Sequence, residues 1–249
     1  MEAIIAILVG AASVAWWQRT RRKPVALEDF LDGDAQVAVH VAEHAQRSRA
    51  QTTFTTCHIL YGLVQDDTIA AAIRASGGDP AAFEDRVLAT LDAPADHQRA
   101  ITADAQELLA RAVGSAYHQQ RKVSRTDLWA YLLAADVGAV FAAAKVDALA
   151  VLHILVHGTP LPALPDGPGD VHVVIRNDDY TPQELVTHLL TQVFELPAAE
   201  ATAKMMTAHT EGKAVLVRLP AVLAHAKIRQ ARELARSAHF PLWIAAEPT

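Results

Sequence analysis

The sequence predicts a multidomain chain, an all-α double repeat followed by an α/β domain of the α+β kind. Three observations predict it. Asp34-Ala35-Gln36 recurs as Asp104-Ala105-Gln106, and each copy opens the same succession of helical patterns. Residues 159–170, TPLPALPDGPGD, hold four prolines and two glycines, which excludes a helix or a central strand and marks a semi-rigid linker. Beyond it the pattern changes to an apolar strand-like run that ends in a polar corner and a new helix.

Composition sets outer bounds. A chain of 249 residues can bury one large core or two small ones. A formal net charge of −6 with no dominant basic face argues against nucleic acid as a partner. Cys57 is the single cysteine, so an internal disulfide or a Cys-based zinc cluster is excluded. It sits in Thr55-Thr56-Cys57-His58-Ile59-Leu60, an apolar helix start, and reads as a buried structural thiol.

The elements follow in order. Ala3 to Trp17 is uninterruptedly apolar, and Arg19, Arg21, Arg22 and Lys23 follow at once. A membrane span needs about 20 apolar residues, so this run is short but sufficient with its flanks. Residues 1–23 are therefore expected to be a membrane anchor helix with a basic stop, the body staying on the cytoplasmic side of an inner membrane. A cleaved signal peptide is the rival, with Ser13-Val14-Ala15 as its cleavage site. Glu2 and the position of the positive charges speak against it.

Residues 27–158 read as all-helical. Each copy has an Ala-rich amphipathic helix, a short polar loop and a Ser/Thr-capped apolar helix, at Thr55–Leu63 and Ser124–Leu132. A third Ala-rich helix follows, at 69–75 and 139–144. Helical units of this kind bury their apolar faces against each other. Within the first, His40-Val41-Ala42-Glu43-His44 matches the spacing of an inverted zincin, a short pattern that also arises by chance. His153 and His157 lie one turn apart without an evident third ligand. No phosphate loop and no nucleophile elbow is present. No cofactor, metal or catalytic residue is expected.

In residues 171–249, Val171 to Arg176 reads as a strand. Asn177-Asp178-Asp179 is a polar corner that leaves acceptor oxygens at a rim, and Thr181, Pro182 and Glu184 read as N-cap, first helical residue and capping-box partner. Acceptors beside an apolar pocket suit an ammonium group on a hydrophobic residue.

This stretch closely resembles the signature of the ClpS adaptor family, which gives proteins with destabilising N-terminal residues to the Clp protease. Two further blocks carry the resemblance, Ala203 to Val215 (AKMMTAHTEGKAV) and His239-Phe240-Pro241-Leu242-Trp243. The duplicated helical segment resembles the N-terminal domain of Clp ATPases, and Val151 to Gly158 is similar to the end of that domain in ClpA. The ClpS resemblance implies three antiparallel strands, at 171–176, 214–219 and 242–246, and three helices, at 182–194, 198–210 and 220–238.

The same resemblance implies a site. Asn177, Asp178 and His209, with Asp179 and Thr181 beside them, would hold the free α-amino group of a target, and acid would weaken binding through His209. Val186, Met205, Ala208 and Leu242 would line the apolar pocket, with Gln183 at its edge. Gln183 stands where many relatives have Met, and Ala208 where Val is common, so the preferred N-terminal residue is open. Lys227 matches a lysine that grips the ATPase, but a glutamate expected near Val222 is absent.

The expected function is a non-enzymatic adaptor that presents substrates with hydrophobic N-terminal residues to a Clp ATPase and its protease. The alternative is a scaffold or anti-adaptor whose Clp N-like domain captures ClpS or substrates without delivery. A metallopeptidase using His40, Glu43 and His44 is the third class.

Overall fold

The computed structural model describes residues 26–93 and 101–249. The expected membrane anchor at 1–23 lies outside the described residues. No single helix among the described residues is long and apolar enough to cross a membrane. Two compact units are present, up to Asp147 and from Ala148 onward.

The first unit contains α1 (Gly33–Ser48), α2 (Thr56–Val64), α3 (Asp67–Ala75), α4 (Pro80–Leu91), α5 (Ala103–His118), α6 (Arg125–Leu132) and α7 (Gly138–Ala144). The duplication read from sequence is physical. Asp32 caps α1 by accepting from Ala35 N at 2.8 Å, and Thr102 caps α5 by accepting from Ala105 N at 3.3 Å. The copies then exchange backbone reciprocally. Leu31, ahead of α1, bridges Val123, ahead of α6, while Ile101, ahead of α5, bridges Phe54, ahead of α2. Asp32 N donates to Val123 O and Thr102 N to Phe54 O, both at 2.9 Å.

The two capped apolar helices solve one problem with different residues. In α6, Asp127 closes a capping box with Ser124 and pairs with Arg121 at 2.8 Å. In α2, His58 Nδ1 accepts from Thr55 N at 3.1 Å, and its Nε2 lies 2.8 Å from Gln51 Oε1. Burial, reinforced by the Arg49 charge, pulls His58 down to about 4, so it stays neutral. Gly62 is obligatory because a Cβ there would stand 2.0 Å from Ala38 O. Cys57 is buried as expected, and desolvation, with Asp136 nearby, pushes its thiol up to about 12.

The second unit contains α8 (Ala148–His157), β1 (Asp170–Arg176), α9 (Gln183–Gln192), α10 (Ala198–Glu211), β2 (Lys213–Pro220), α11 (Ala221–Ser237) and β3 (Trp243–Pro248). All three expected strands and all three expected helices form within two residues of their expected bounds. The sheet order is β2-β1-β3, antiparallel throughout, with a register shift between Val173 and Val174. Val173, Ile175, Ala214, Leu216 and Ile244 join the helices in one apolar core. Val174, Trp243 and Ala245 form a second cluster, with the Arg176 guanidinium 4.1 Å over the Trp243 ring.

Three readings are refined. The segment from Ala148 to His157 groups with the second unit, whereas the helical domain was expected to run to 158. The Pro/Gly segment has no regular structure, as expected, but it is strapped along α11. Arg232 Nη1 donates to Pro162 O at 2.8 Å, His225 Nδ1 lies 3.1 Å from Pro165 O, and Leu164 packs on the core. The α9 start also differs. Its N-cap is Pro182, with no side-chain cap, so neither Thr181 nor Glu184 plays the capping role predicted for it. Asp178 organises the corner instead, because its carboxylate reaches two backbone N–H groups of the turn itself.

Candidate functional site

The polar corner follows directly from β1. Arg176 is the last paired residue of the strand, and Asn177 N donates to Gly212 O at 2.9 Å. Gly212 ends α10 with φ +81°, a left-handed C-cap that glycine adopts without cost. This link brings the end of α10 to the end of β1. His209, in the last turn of α10, then faces Asn177, with Nδ1 3.3 Å from Asn177 Oδ1. Both donors and acceptors of this pair are accessible, since His209 is exposed and Asn177 half-buried.

The apolar residues also converge. Val186 from α9, Met205 and Ala208 from α10, and Leu242 just before β3 belong to one cluster, each with a sliver of surface left. Gln183 and Asp179 are exposed, as rim positions require. Thr181 sits within the corner, its hydroxyl donating to Asp178 Oδ2 at 2.8 Å.

Asp178 departs from expectation. Its acceptor oxygens are not free. The carboxylate accepts from Tyr180 N at 2.9 Å and Thr181 N at 2.6 Å, and its side chain is 1% exposed. His157, from the last turn of α8, stands over it with Nε2 4.0 Å from Oδ2. The same Nε2 donates to Pro241 O at 2.9 Å, and His153 Nδ1 lies 3.2 Å from that carbonyl. Desolvation lowers both histidines. His153 falls to about 4, helped by His157 and Arg232; His157 falls despite its bond to Pro241 and the Asp178 charge. Two neutral imidazoles thus clamp one carbonyl beside the pocket wall.

Pro241 is aimed by the turn before it. His239 takes a left-handed φ of 61°, and Phe240 N donates back to Ala235 O at 3.0 Å. Sequence reasoning missed His157 and Pro241 as neighbours of the corner. The one signal was the unassigned His153/His157 pair.

Lys227 is already engaged, donating to Val193 O at 2.6 Å and Glu195 Oε1 at 2.7 Å. Two members of the zincin-like trio have ordinary partners. His40 Nδ1 lies 2.9 Å from Gln36 O, and Glu43 pairs with Arg47. No metal-holding group of three or more His, Cys, Asp or Glu exists among the described residues.

Comparison with known proteins matches these two units to two families. Residues 166–245 match the ATP-dependent Clp protease adaptor protein ClpS, and residues 31–142 match the Clp repeat (R) N-terminal domain. The adapter protein ClpS 2 of Agrobacterium fabrum is 42% identical over 76 residues, covering 30% of this chain and 74% of the relative. ClpS of Vibrio cholerae is 36% identical over 80 residues, covering 32% and 76%. Among solved structures, Agrobacterium tumefaciens ClpS2 bound to L-phenylalaninamide is 40% identical and covers 33% of this chain and 100% of that one, with a TM-score of 0.32. The Hsp104 N-terminal domain from Candida albicans is 15% identical, covering 49% and 86%, with a TM-score of 0.45. The class is a fusion of a Clp N-terminal repeat domain with an adaptor domain. Through the latter, the chain belongs to the ClpS family.

Proposed function

We propose that this chain is a non-catalytic adaptor that binds the hydrophobic N-terminal residue of a substrate and presents it to a Clp ATPase and its protease. The observation that carries this reading is the convergence of Asn177 and His209 beside the apolar cluster of Val186, Met205, Ala208 and Leu242, in a chain of the ClpS family. An ammonium offers three donors. Asn177 Oδ1 and the outward nitrogen of His209 supply neutral acceptors, and the exposed Asp179 supplies charge at the rim. Asp178 acts from beneath by fixing the turn. The run at Ala3 to Trp17 would tether this activity to the inner face of a membrane.

A second reading is favoured by one feature, the cover that His157 places on Asp178. In it the protein is a scaffold or anti-adaptor, and its Clp N-like domain holds ClpS or substrate without delivery.

The test is binding of fluorescent peptides beginning with Leu, Phe, Tyr, Trp or Ile, each compared with its acetylated form. Micromolar or tighter binding that requires the free amine, and that weakens at least about tenfold in Asn177→Ala and His209→Ala, is expected from lost charge-assisted bonds. Absence of amine-dependent binding by any peptide would remove the receptor reading. Degradation of a Leu-initiated substrate by a purified Clp ATPase–peptidase then separates the two readings. Adaptor function accelerates it, whereas an anti-adaptor slows it. Sedimentation of the full chain with membranes, and its release by deleting 1–23, tests the tether.

A further inference from the structure

Helix α8 lies between the residues matched to the two families, 31–142 and 166–245, yet it belongs to the second compact unit. Its contacts fall at one end of the sheet. Arg176, the last residue of β1, pairs with Trp243, the first of β3. The polar corner therefore leaves the sheet at the same end at which Leu242 enters it. An N-terminal residue carries its amine and its side chain on one Cα. A receptor for it must hold amine acceptors and apolar wall at a fixed separation. The chain itself does not join them closely, because the corner follows β1 and Leu242 precedes β3.

Helix α8 reaches both halves. On the wall side, His153 Nδ1 lies 3.2 Å and His157 Nε2 2.9 Å from Pro241 O. A carbonyl oxygen has two lone pairs, so the two imidazoles fill its capacity to accept. Pro241 directly precedes Leu242, and fixing this carbonyl fixes the backbone that carries the wall. On the corner side, His157 Nε2 stands 4.0 Å from Asp178 Oδ2, with the two side chains only 4% and 1% exposed. Asp178 in turn sets the course of the corner through Tyr180 N, Thr181 N and the Thr181 hydroxyl. The two histidine rings pack together, with centroids 4.6 Å apart. His153 thus bonds on the wall side, whereas His157 touches both sides.

Building on the receptor reading given above, we propose that His157 is a positioning residue for recognition of the N-terminal residue. It ties the polar corner to the pocket wall and sets the separation between the amine acceptors and Leu242, with His153 as its support. It acts through Pro241 and Asp178.

The full chain is tested with two readouts. One is hydrogen–deuterium exchange of residues 240–246 in the absence of peptide. The other is the affinity of peptides beginning with Leu, Phe, Trp and Ile. His157→Leu keeps a bulky side chain in the helix and loses the donor. It should speed exchange in 240–246 while leaving α5 unchanged. It should also weaken the best-bound peptide at least about tenfold, as for a lost buried hydrogen bond, and narrow the spread of affinities among the four side chains. His157→Gln offers an amide N–H in place of Nε2–H and should restore exchange, affinity and spread. A merely structural role would lower every affinity by a common factor and leave the spread intact. A preserved spread in His157→Leu would therefore overturn the proposal, as would unchanged exchange in 240–246 or a Gln variant as impaired as the Leu variant. Should His157→Leu fail to fold, His153→Leu is the second variant, since it removes one bond to Pro241 O and leaves Asp178 covered. It should speed exchange in 240–246 and narrow the spread, while the preference for a free over an acetylated amine stays at the wild-type value. Unchanged exchange there would likewise overturn the proposal. Absence of amine-dependent binding by the wild-type chain would remove the receptor reading instead, and the exchange of 240–246 in these variants would still decide whether α8 positions the wall.

Discussion

The two units treat buried polar groups in opposite ways. In the first, such groups are closed into complete networks. Asp127 is met by Arg121 and Ser124, and His58 has partners on both nitrogens; nearer the surface, the partly buried Arg125 reaches Asp66 and the exposed Asp34 and donates to Thr68 at 3.0 Å. In the second unit, His153 Nε2, Arg232 Nη2 and Trp243 Nε1 are buried and unpartnered, and these are all such atoms found among the described residues. A complete network rigidifies a fold, whereas a buried polar group left without a partner costs stability. The first unit is therefore stiffened by its buried polar groups, whereas the second carries a cost at His153, Arg232 and Trp243.

The largest expected effect comes from opening a closed network. Asp127→Ala leaves Arg121 uncompensated, frees Ser124 N and removes a carboxylate that is 1% exposed. It should cost about 3 to 5 kcal/mol, read as a fall in urea midpoint. A loss below about 1 kcal/mol would mean that the first unit is not held by its networks.

Acid comes next. His58, His153 and His157 are all lowered in the folded state. A lowered histidine gives stability that is complete above the unfolded value near 6.5 and is lost as pH falls below it. For His153, lowered to about 4, the loss is complete near pH 4 and amounts to as much as about 3 kcal/mol. Denaturation measured from pH 7 to pH 4 should show this decline, and His153→Phe should flatten part of it. An unchanged slope in that variant would show that His153 does not titrate with unfolding.

Trp243→Phe sharpens the contrast further. It deletes an indole N–H that has no partner while keeping a ring under Arg176. The change should cost about 1 to 2 kcal/mol, all of it from the space left by the smaller ring at a side chain 3% exposed, since no satisfied hydrogen bond is lost. The smallest effect is expected for Lys227→Ala. Its ion pair with Glu195 is 79% exposed on the acidic side, so stability should shift by less than about 1 kcal/mol. A large drop in substrate delivery with stability intact would assign Lys227 to ATPase docking.

Much of this was legible in the chain. The duplicated Asp-Ala-Gln motif announced two copies, and the caps at Thr55 and Ser124 placed α2 and α6 to within a residue. Asn177 and His209 were picked as partners from resemblance and do meet. What was not legible involves segments far apart along the chain. Asp178 looked like a free rim carboxylate because a local pattern cannot show that His157 will sit over it. The strap looked like a semi-rigid linker because prolines and glycines exclude regular structure without saying what the backbone carbonyls will bond. Arg232, an unremarkable helix residue in sequence, binds one of those carbonyls, Pro162 O, together with Ile244 O of β3, and leaves Nη2 without a partner.

By itself, then, the sequence determined the elements, their order and the chemistry available, because periodicity, caps and turn residues act within a few positions of the chain. Only the tertiary structure decided which polar groups are satisfied and which stay open. That depends on where carbonyls such as Pro241 O and Pro162 O come to rest, and long-range packing sets those positions.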